Sequence, residues 1–438
     1  MMHYFTDPLL RAPTIASMLI CLTTALIGVL VFLRKESLLG ESLSHATYPG
    51  VGLGLLFSSL FISSESSFMS VFVLLFAGVT SLFALFCIRV LQKRLRVPAD
   101  ASLGLVLALF FGIGVTIASR MQFTHTTLYR QGQLYLYGQT ATMTDEHILI
   151  YAVLLLVVAL TVFLFYKELL TLTMDPQFAD TIGMKTSLLN GIVAFLTVGA
   201  IIIGIRSVGV VLVSAMLIAP AASARALTQS FKQMLLIASL LGALAALIGT
   251  ILSLELSYTL YALFPEEKPS IPAGPMIVLV SGGISLLCFA FSPTTGLVTR
   301  AIRSFKFRTK RREENCLKAI WKKGGTVKTS DLIDFGTHRQ IFRVMRLLKR
   351  EGWVKPLGHG EYKLTSDGTK RAKHIVRLHR LWELYLVEYL GIGKERVHCS
   401  AAEIEHILTP DVERQLNTLL HNPKLDPHHQ PIPSGDLL

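Results

Sequence analysis

With 438 residues, 52% of them hydrophobic and only 16% charged, the chain falls well below the roughly 25% charge of a soluble domain, which excludes a wholly water-soluble globular fold. The charge is unevenly placed. Residues 1–300 hold 16 Lys/Arg and 13 Asp/Glu, whereas residues 301–438 hold 26 and 16, so the last third is the strongly basic part and points to nucleic acid or acidic lipid as its partner.

A helix needs about 20 mostly apolar residues to cross the hydrocarbon. Such runs lie near 14–33, 50–64, 69–90, 100–118, 147–166, 188–205, 207–224, 234–254 and 275–293. The second and seventh are short. The seventh, SVGVVLVSAMLIAPAASA, follows the sixth so closely that a re-entrant or broken helix is open there, and eight or nine crossings are expected. A cleaved signal places basic residues before its apolar run; here Arg34-Lys35 follow the first run, which reads as a retained helix. The loops on one side of nine crossings hold ten Lys/Arg, Arg34, Arg89, Lys93 and Lys167 among them, against five on the other. The positive-inside rule then puts the N-terminus outside and everything after residue 300 in the cytoplasm. Five widely spaced cysteines show no disulfide framework or zinc knuckle.

Ionisable groups at membrane depth are costly and usually functional. In LLGESLSHATYPG, Glu41 and His45 are four apart and share a helix face, where a carboxylate and an imidazole can hold manganese, iron or zinc; a solvated loop after Arg34 is the alternative. Asp100 in VPADASLG is expected to cap the fourth helix. In MDPQFADTIGMKT (174–186), Asp175, Ala179 and Gly183 form a small-residue stripe, either a docking helix for a cytoplasmic partner or an ordinary surface turn. The chain holds no GxxxxGK[ST] run to cradle nucleotide phosphates, so ATP-driven transport would need a separate ATPase.

Residues 10–294 resemble the permease subunits of ABC-3 metal importers, which move manganese, zinc or iron. The resemblance rests on RKESLLGESLSHATYPGVGLG, VPADASLG, LYGQ (136–139), DPQFADTIGM, and VGVVLVSAMLIAPAASA followed by Pro272-Ala273-Gly274. It implies that Glu41 and His45 line the metal path, although the family more often has Asp at the first position. It also implies that 175–183 dock the ATPase, that two permeases pair with two ATPase subunits, and that an extracytoplasmic binding protein delivers the ion.

Residues 300–312, RAIRSFKFRTKRR, read as a basic juxtamembrane linker, lipid-touching or a processing region. From 313 a small domain follows: a helix over 314–323, a short helix SDLIDFG, and a third, HRQIFRVMRLLKREG, capped by Thr337. In the third, Ile341, Val344, Met345 and Leu348 form a buried stripe, while Arg339, Arg343, Arg346 and Lys349 crowd the rest. WVKPLGHGEYKLT reads as two strands about the turn from Gly358 to Gly360. Three helices and a hairpin make a winged helix, its third helix suited to the major groove; a solvated charged face is the alternative for the arginines. In the next module His379 and Glu383 share a helix face, and His398, Glu405 and His406 follow. The set suits a divalent transition metal against the alternative of solvated histidines. Leu378, Leu381, Trp382, Tyr385 and Leu386 offer a packing or dimer surface.

LTSDGTKRAKHIVRLHRLWELYL, VHCSAAEIEHI and NPKLDPHHQPIP resemble the diphtheria-toxin-repressor family of metal-dependent repressors over about 313–433. That resemblance implies one metal position at His379, Glu383 and His398 and a second at Glu405 and His406. The second set's remaining positions correspond to Ala402 and Asn315, and alanine cannot ligate; Cys399, Glu403 and Cys316 are the nearest substitutes. The order of parts resembles the permease–repressor fusions of chlamydiae. The expectation is therefore an all-α polytopic membrane domain with 8–9 transmembrane helices (1–299), a basic linker (300–312), a cytoplasmic winged-helix domain (313–370) and a helical metal-binding and dimerisation domain (371–438). Its function would be import of Fe²⁺, Mn²⁺ or Zn²⁺ at the inner membrane. The same ion would act as co-repressor of a dimeric operator-binding head, with release of that head by cleavage in the linker. The alternatives are a gradient-driven carrier, and a tail that gates transport without binding DNA.

Overall fold

The computed structural model describes residues 3–61, 67–138, 140–264, 266, 271–358 and 360–434. Residues 62–64 of the second predicted run, Gln139, Glu267, Lys268 and His359 lie outside the described residues. The chain divides into two compact units, Met1–Thr299 and Arg300–Leu438.

The first unit is built of helices: α1 (His3–Thr6), α2 (Pro8–Leu33), α3 (Leu38–Phe61), α4 (Ser67–Lys93), α5 (Ala99–Thr124), α6 (Thr126–Tyr137), α7 (Asp145–Leu164), α8 (Tyr166–Met174), α9 (Pro176–Thr181), α10 (Thr186–Val208), α11 (Val210–Leu227), α12 (Phe231–Leu263) and α13 (Ala273–Phe291). Each of the nine predicted runs overlaps one or two of these helices. Among the described residues, seven helices are long and apolar enough to cross a membrane, with Leu212–Leu227 a shorter apolar helix; α3 and α11 carry the two runs read as short. Large apolar side chains on α4, α7, α12 and α13 point outward, among them Phe86, Leu156, Phe163, Leu240 and Leu286. Such contiguous apolar surface is incompatible with water and natural against lipid tails. Inside, small residues replace hydrophobic sorting as the means of close packing: a Cβ on Gly28 of α2 would lie 1.9 Å from the Leu217 carbonyl oxygen of α11.

Helix α3 starts twelve residues before the apolar run at 50, so the loop alternative falls and LLGESLSHATY is helical, as a shared face for Glu41 and His45 requires. Its hydroxyls are answered by backbone, with Ser42 donating to the Leu103 carbonyl at 3.0 Å and Thr47 to the Ser44 carbonyl at 2.6 Å, which hydropathy cannot register. Asp100 is not the cap of α5: Pro98 holds that place and no side chain caps it, leaving Asp100 exposed in the first turn. Of the stripe Asp175, Ala179 and Gly183, the first and last are exposed and Ala179 is buried. Asp175 caps α9, accepting from the Gln177 and Phe178 amides at 3.0 Å. Ala179 is fully buried, and Gly183 lies beyond the helix at φ +78°. Phe178 (54%) and Ile182 (50%) are large apolar side chains that this segment also exposes.

The break between α10 and α11 is a single residue, Gly209, at φ +87°. It abuts Gly138 of the LYGQ run, itself at φ +74°, so that a Cβ on Gly209 would lie 2.6 Å from the Gly138 nitrogen. Two quoted motifs thus meet backbone to backbone, in conformations that side chains resist.

The second unit opens on α14 (Leu297–Lys322), followed by β1 (Thr326–Lys328), a 3₁₀ turn over Thr329–Phe335, α15 (His338–Arg350), β2 (Val354–Gly358), β3 (Glu361–Leu364), α16 (Ser366–Glu388), α17 (Val397–Ile404) and α18 (Pro410–Leu419). The basic stretch 300–312 is not an irregular linker. It lacks Gly and Pro, is rich in helix-tolerant Arg and Lys, and lies within α14. The sheet order is β1-β3-β2, all antiparallel, pairing Val327 with Tyr362 and Lys355 with Lys363. The hairpin β2–β3 was expected; β1, three residues long, was not. Thr337 and Gln340 form a capping box on α15. Ile341, Val344, Met345 and Leu348 enter a core with Cys316, Leu317, Ile320 and Val354, as their spacing predicted.

Candidate metal centre

In the membrane unit, Glu41 lies in the first turn of α3 and His45 one turn later, both half-buried. The His45 ring meets Phe111 edge-on at 4.9 Å, and its Nδ1, with the neighbouring Ser44 hydroxyl, is buried without a hydrogen-bond partner. Each such atom costs about 1–3 kcal/mol unless water or an ion reaches it. Among the described residues no third acidic, histidine or cysteine ligand gathers with this pair.

The second unit brings its predicted residues together. His379 and Glu383 occupy successive turns of α16, and His398 stands in the first turn of α17. Their ligand atoms all lie within 4.8 Å of one another. Glu383 Oε1 is 2.9 Å from His379 Nε2 and against His398 Nδ1, yet no hydrogen bond satisfies it. An orphaned, buried carboxylate oxygen between two imidazole nitrogens is a donor set for a cation, and the three residues fit a divalent ion. His379 and Glu383 are buried, while the His398 side chain is 58% exposed, which leaves a way in. His428, absent from the sequence argument, stacks on His398 with centroids 4.7 Å apart.

The pair Glu405-His406 follows α17 and is buried. Glu405 Oε2 lies 2.5 Å from His379 Nδ1 and accepts from Lys318 Nζ at 2.8 Å, and Oε1 accepts from the same ammonium at 3.1 Å. His406 Nδ1 lies 2.7 Å from Glu314 Oε2, while Arg371 donates to Glu314 Oε1 at 2.7 Å. His406 Nε2 is buried without a hydrogen bond. Here the expectation for Asn315 is corrected: Glu314, its neighbour on α14, is the residue that faces the pair, with Lys318 one turn on. The i,i+4 spacing of Glu314 and Lys318 was in the sequence, but nothing there showed that they meet residues 87 to 92 positions away. Cys316 is no substitute ligand because it is packed in the apolar core, and Glu403 is exposed. Likewise, Leu381 of the expected dimer stripe already packs within the chain against Leu384, Leu420 and Tyr385.

Burial works to lower the pKa of His379, but the carboxylates of Glu383 and Glu405, 2.9 and 2.5 Å from its two nitrogens, outweigh it and hold the imidazole above its ordinary 6.5. Burial works to raise Glu383, Glu405 and Glu314. The imidazoles, joined by Lys318 at Glu405 and by Lys310 and Arg371 at Glu314, hold all three below the ordinary carboxylate value. Burial lowers Lys318, opposed chiefly by Glu405. On α15, Arg339, Arg343, Arg346 and Lys349 are all exposed, and Arg346 lies over the Phe342 ring at 5.1 Å.

The profile of the ABC 3 transport family matches residues 6–292. The chain belongs to this family. A second profile, the iron dependent repressor metal binding and dimerisation domain, matches residues 365–434 and so contains every residue from His379 to His406. A Chlamydia pneumoniae protein named as a probable metal transport system membrane protein is 34% identical over 443 residues, covering 98% of both chains. One of the same description from Chlamydia trachomatis is 34% identical over 445 residues, covering 98% of this chain and 97% of its own. The structure of PsaBC from Streptococcus pneumoniae in complex with Fab matches at a TM-score of 0.54 and 23% identity, over 67% of this chain and 95% of that one; it supports the membrane fold. The chain is thus a multi-pass inner-membrane metal permease subunit, not an enzyme, joined to a metal-dependent regulator domain on the cytoplasmic side.

Proposed function

We propose that the first unit is the permease of an ATP-driven importer of Fe²⁺, Mn²⁺ or Zn²⁺ and that the second is a repressor of uptake genes with the same ion as co-repressor. The observation that carries the reading is the convergence of His379, Glu383 and His398 around an unsatisfied carboxylate oxygen, in one chain with a metal permease. His379, Glu383 and His398 would hold the co-repressor. The exposed cations Arg339, Arg343, Arg346 and Lys349 of α15 would grip DNA phosphates, in a head that dimerises. In the membrane unit, Glu41 and His45, with the unpartnered His45 Nδ1, would line the ion path. A second permease would complete the pore, a separate ATPase would dock at 174–183 through Phe178 rather than Ala179, and an extracytoplasmic metal-binding protein would deliver the ion.

The test is a gel shift with the detergent-solubilised chain and DNA from upstream of its own operon, with Mn²⁺, with Fe²⁺ and with chelator. Binding that needs the ion and is lost in His398→Ala supports the reading. Binding indifferent to metal, or transport feedback without DNA binding, refutes the repressor half. Metal uptake that persists with ATP hydrolysis blocked refutes the importer half.

A further inference from the structure

The three buried carboxylates of the regulatory centre are not compensated alike. Glu405 has a protein cation of its own, Lys318, with Nζ at 2.8 and 3.1 Å from its two oxygens. Glu314 has Arg371 at 2.7 Å. Among the described residues Glu383 has neither lysine nor arginine within ion-pair distance; its partners are the imidazoles of His379 and His398. A buried carboxylate must have a compensating charge. At Glu405 and Glu314 the chain provides it covalently, and at Glu383 it leaves the place for something from outside. Lys318 Nζ also lies 3.1 Å from His379 Nδ1, so the ammonium stands where a cation shared by His379 and Glu405 would stand.

We propose that the Lys318 ammonium is a tethered cation filling the second position of the regulatory centre, so that the second unit takes one divalent ion per chain, at His379, Glu383 and His398. This rests on the reading of those three residues as ligands. Ala402, which offers no donor, fits the same outcome, since a position occupied from within needs no further ligand. Lys318 also ties α14 to the residue after α17 with a permanent charge, so this link between the DNA-reading and metal-binding parts exists before any ion arrives. The incoming ion acts only at the other end of the His379 ring.

The experiment counts Mn²⁺ per full-length, detergent-solubilised chain by equilibrium dialysis and elemental analysis at saturating Mn²⁺; ions held by the membrane unit are common to all variants and cancel. Lys318→Ala should bind one ion more than wild type and Lys318→Arg the same number, while His398→Ala should bind one fewer. Glu405→Gln in the otherwise wild-type chain should leave the count unchanged. A fall there overturns the proposal whether or not Lys318→Ala folds. An unchanged count in Lys318→Ala beside a lowered count in His398→Ala overturns the role of Lys318 alone. An unchanged count in His398→Ala overturns the ligand reading beneath it, and the proposal with it.

Discussion

Glu383→Gln separates a metal ligand from a structural carboxylate, because only a ligand's loss diminishes the Mn²⁺-induced rise in stability. In the metal-free chain Glu383 is a buried charge with no lysine or arginine partner. A neutral isostere keeps the shape and removes a desolvation cost but loses the attraction to the two imidazoles that holds the carboxyl below its ordinary value, so metal-free stability should fall, and each variant's Mn²⁺-induced shift is read against its own metal-free melt. For the ion, the same substitution replaces an anionic oxygen by a neutral one, which at about 1.5–3 kcal/mol for a charge-assisted contact weakens affinity roughly 10- to 100-fold. At an Mn²⁺ concentration about 100 times the wild-type Kd, binding stabilises the folded unit by about 2.7 kcal/mol. A 100-fold loss leaves only about 0.4 kcal/mol, a fall in the Mn²⁺-induced Tm rise of roughly 10 °C for a unit of this size. The assay is built in: the chain's tryptophans are Trp321, Trp353 and Trp382, all in the second unit, so their fluorescence follows that unit even in the intact membrane protein. Equal Mn²⁺-induced shifts in wild type and Glu383→Gln, or none in wild type, would refute the reasoning.

The pH dependence of the metal-free unit has two edges. His379 is raised above 6.5, so its contribution is complete below that pH and is lost as pH rises through its folded value; Glu383, Glu405 and Glu314 are lowered below 4.5, so theirs is complete above that pH and is lost as pH falls through their folded values. Tryptophan melts in chelator should therefore peak between about 4.5 and 6.5, whereas the Mn²⁺-induced shift should grow with pH as the imidazoles lose their protons. In the membrane unit, Gly209→Ala places a Cβ 2.6 Å from the Gly138 nitrogen at φ +87° and should cost over about 2 kcal/mol, seen as lost monodisperse protein in detergent, while Gly191→Ala, with open space around it, should be neutral. Replacing Arg343 by Ala should leave the melt unchanged, since the side chain is exposed, but should flatten the salt dependence of DNA binding by about one unit of slope; an unchanged slope would place DNA elsewhere.

The apolar helices were legible one by one because the physics is local. In lipid each span must satisfy its own backbone, so run length alone marks it, and the two runs that looked short are those of α3 and α11, where glycine, serine and helix packing do the work that hydropathy measures elsewhere. The winged helix was legible for a similar reason: the stripe Ile341, Val344, Met345 and Leu348 is a period written in neighbouring residues. Asp100 was misread because a residue type suited to capping does not fix where the helix begins, and for 175–183 spacing says which residues share a face but not which of them meet solvent. Ala179 is covered by the rest of the unit.

The candidate ligands His379, Glu383 and His398 lie within 20 positions; residue type with helical spacing marked them among five metal-capable groups, and the resemblance to the repressor family set the three apart. The second position was out of reach of that reasoning. Its character is set by Glu314 and Lys318 on α14 meeting Glu405 and His406 across some 90 residues. Local sequence determined which segments are helix and which side chains can donate to a metal. Only the tertiary structure decided which buried carboxylates already have a cation, because charge compensation depends on distance in space, and the distance between chain-remote groups is settled by the packing of α14 and α16 rather than by either helix alone.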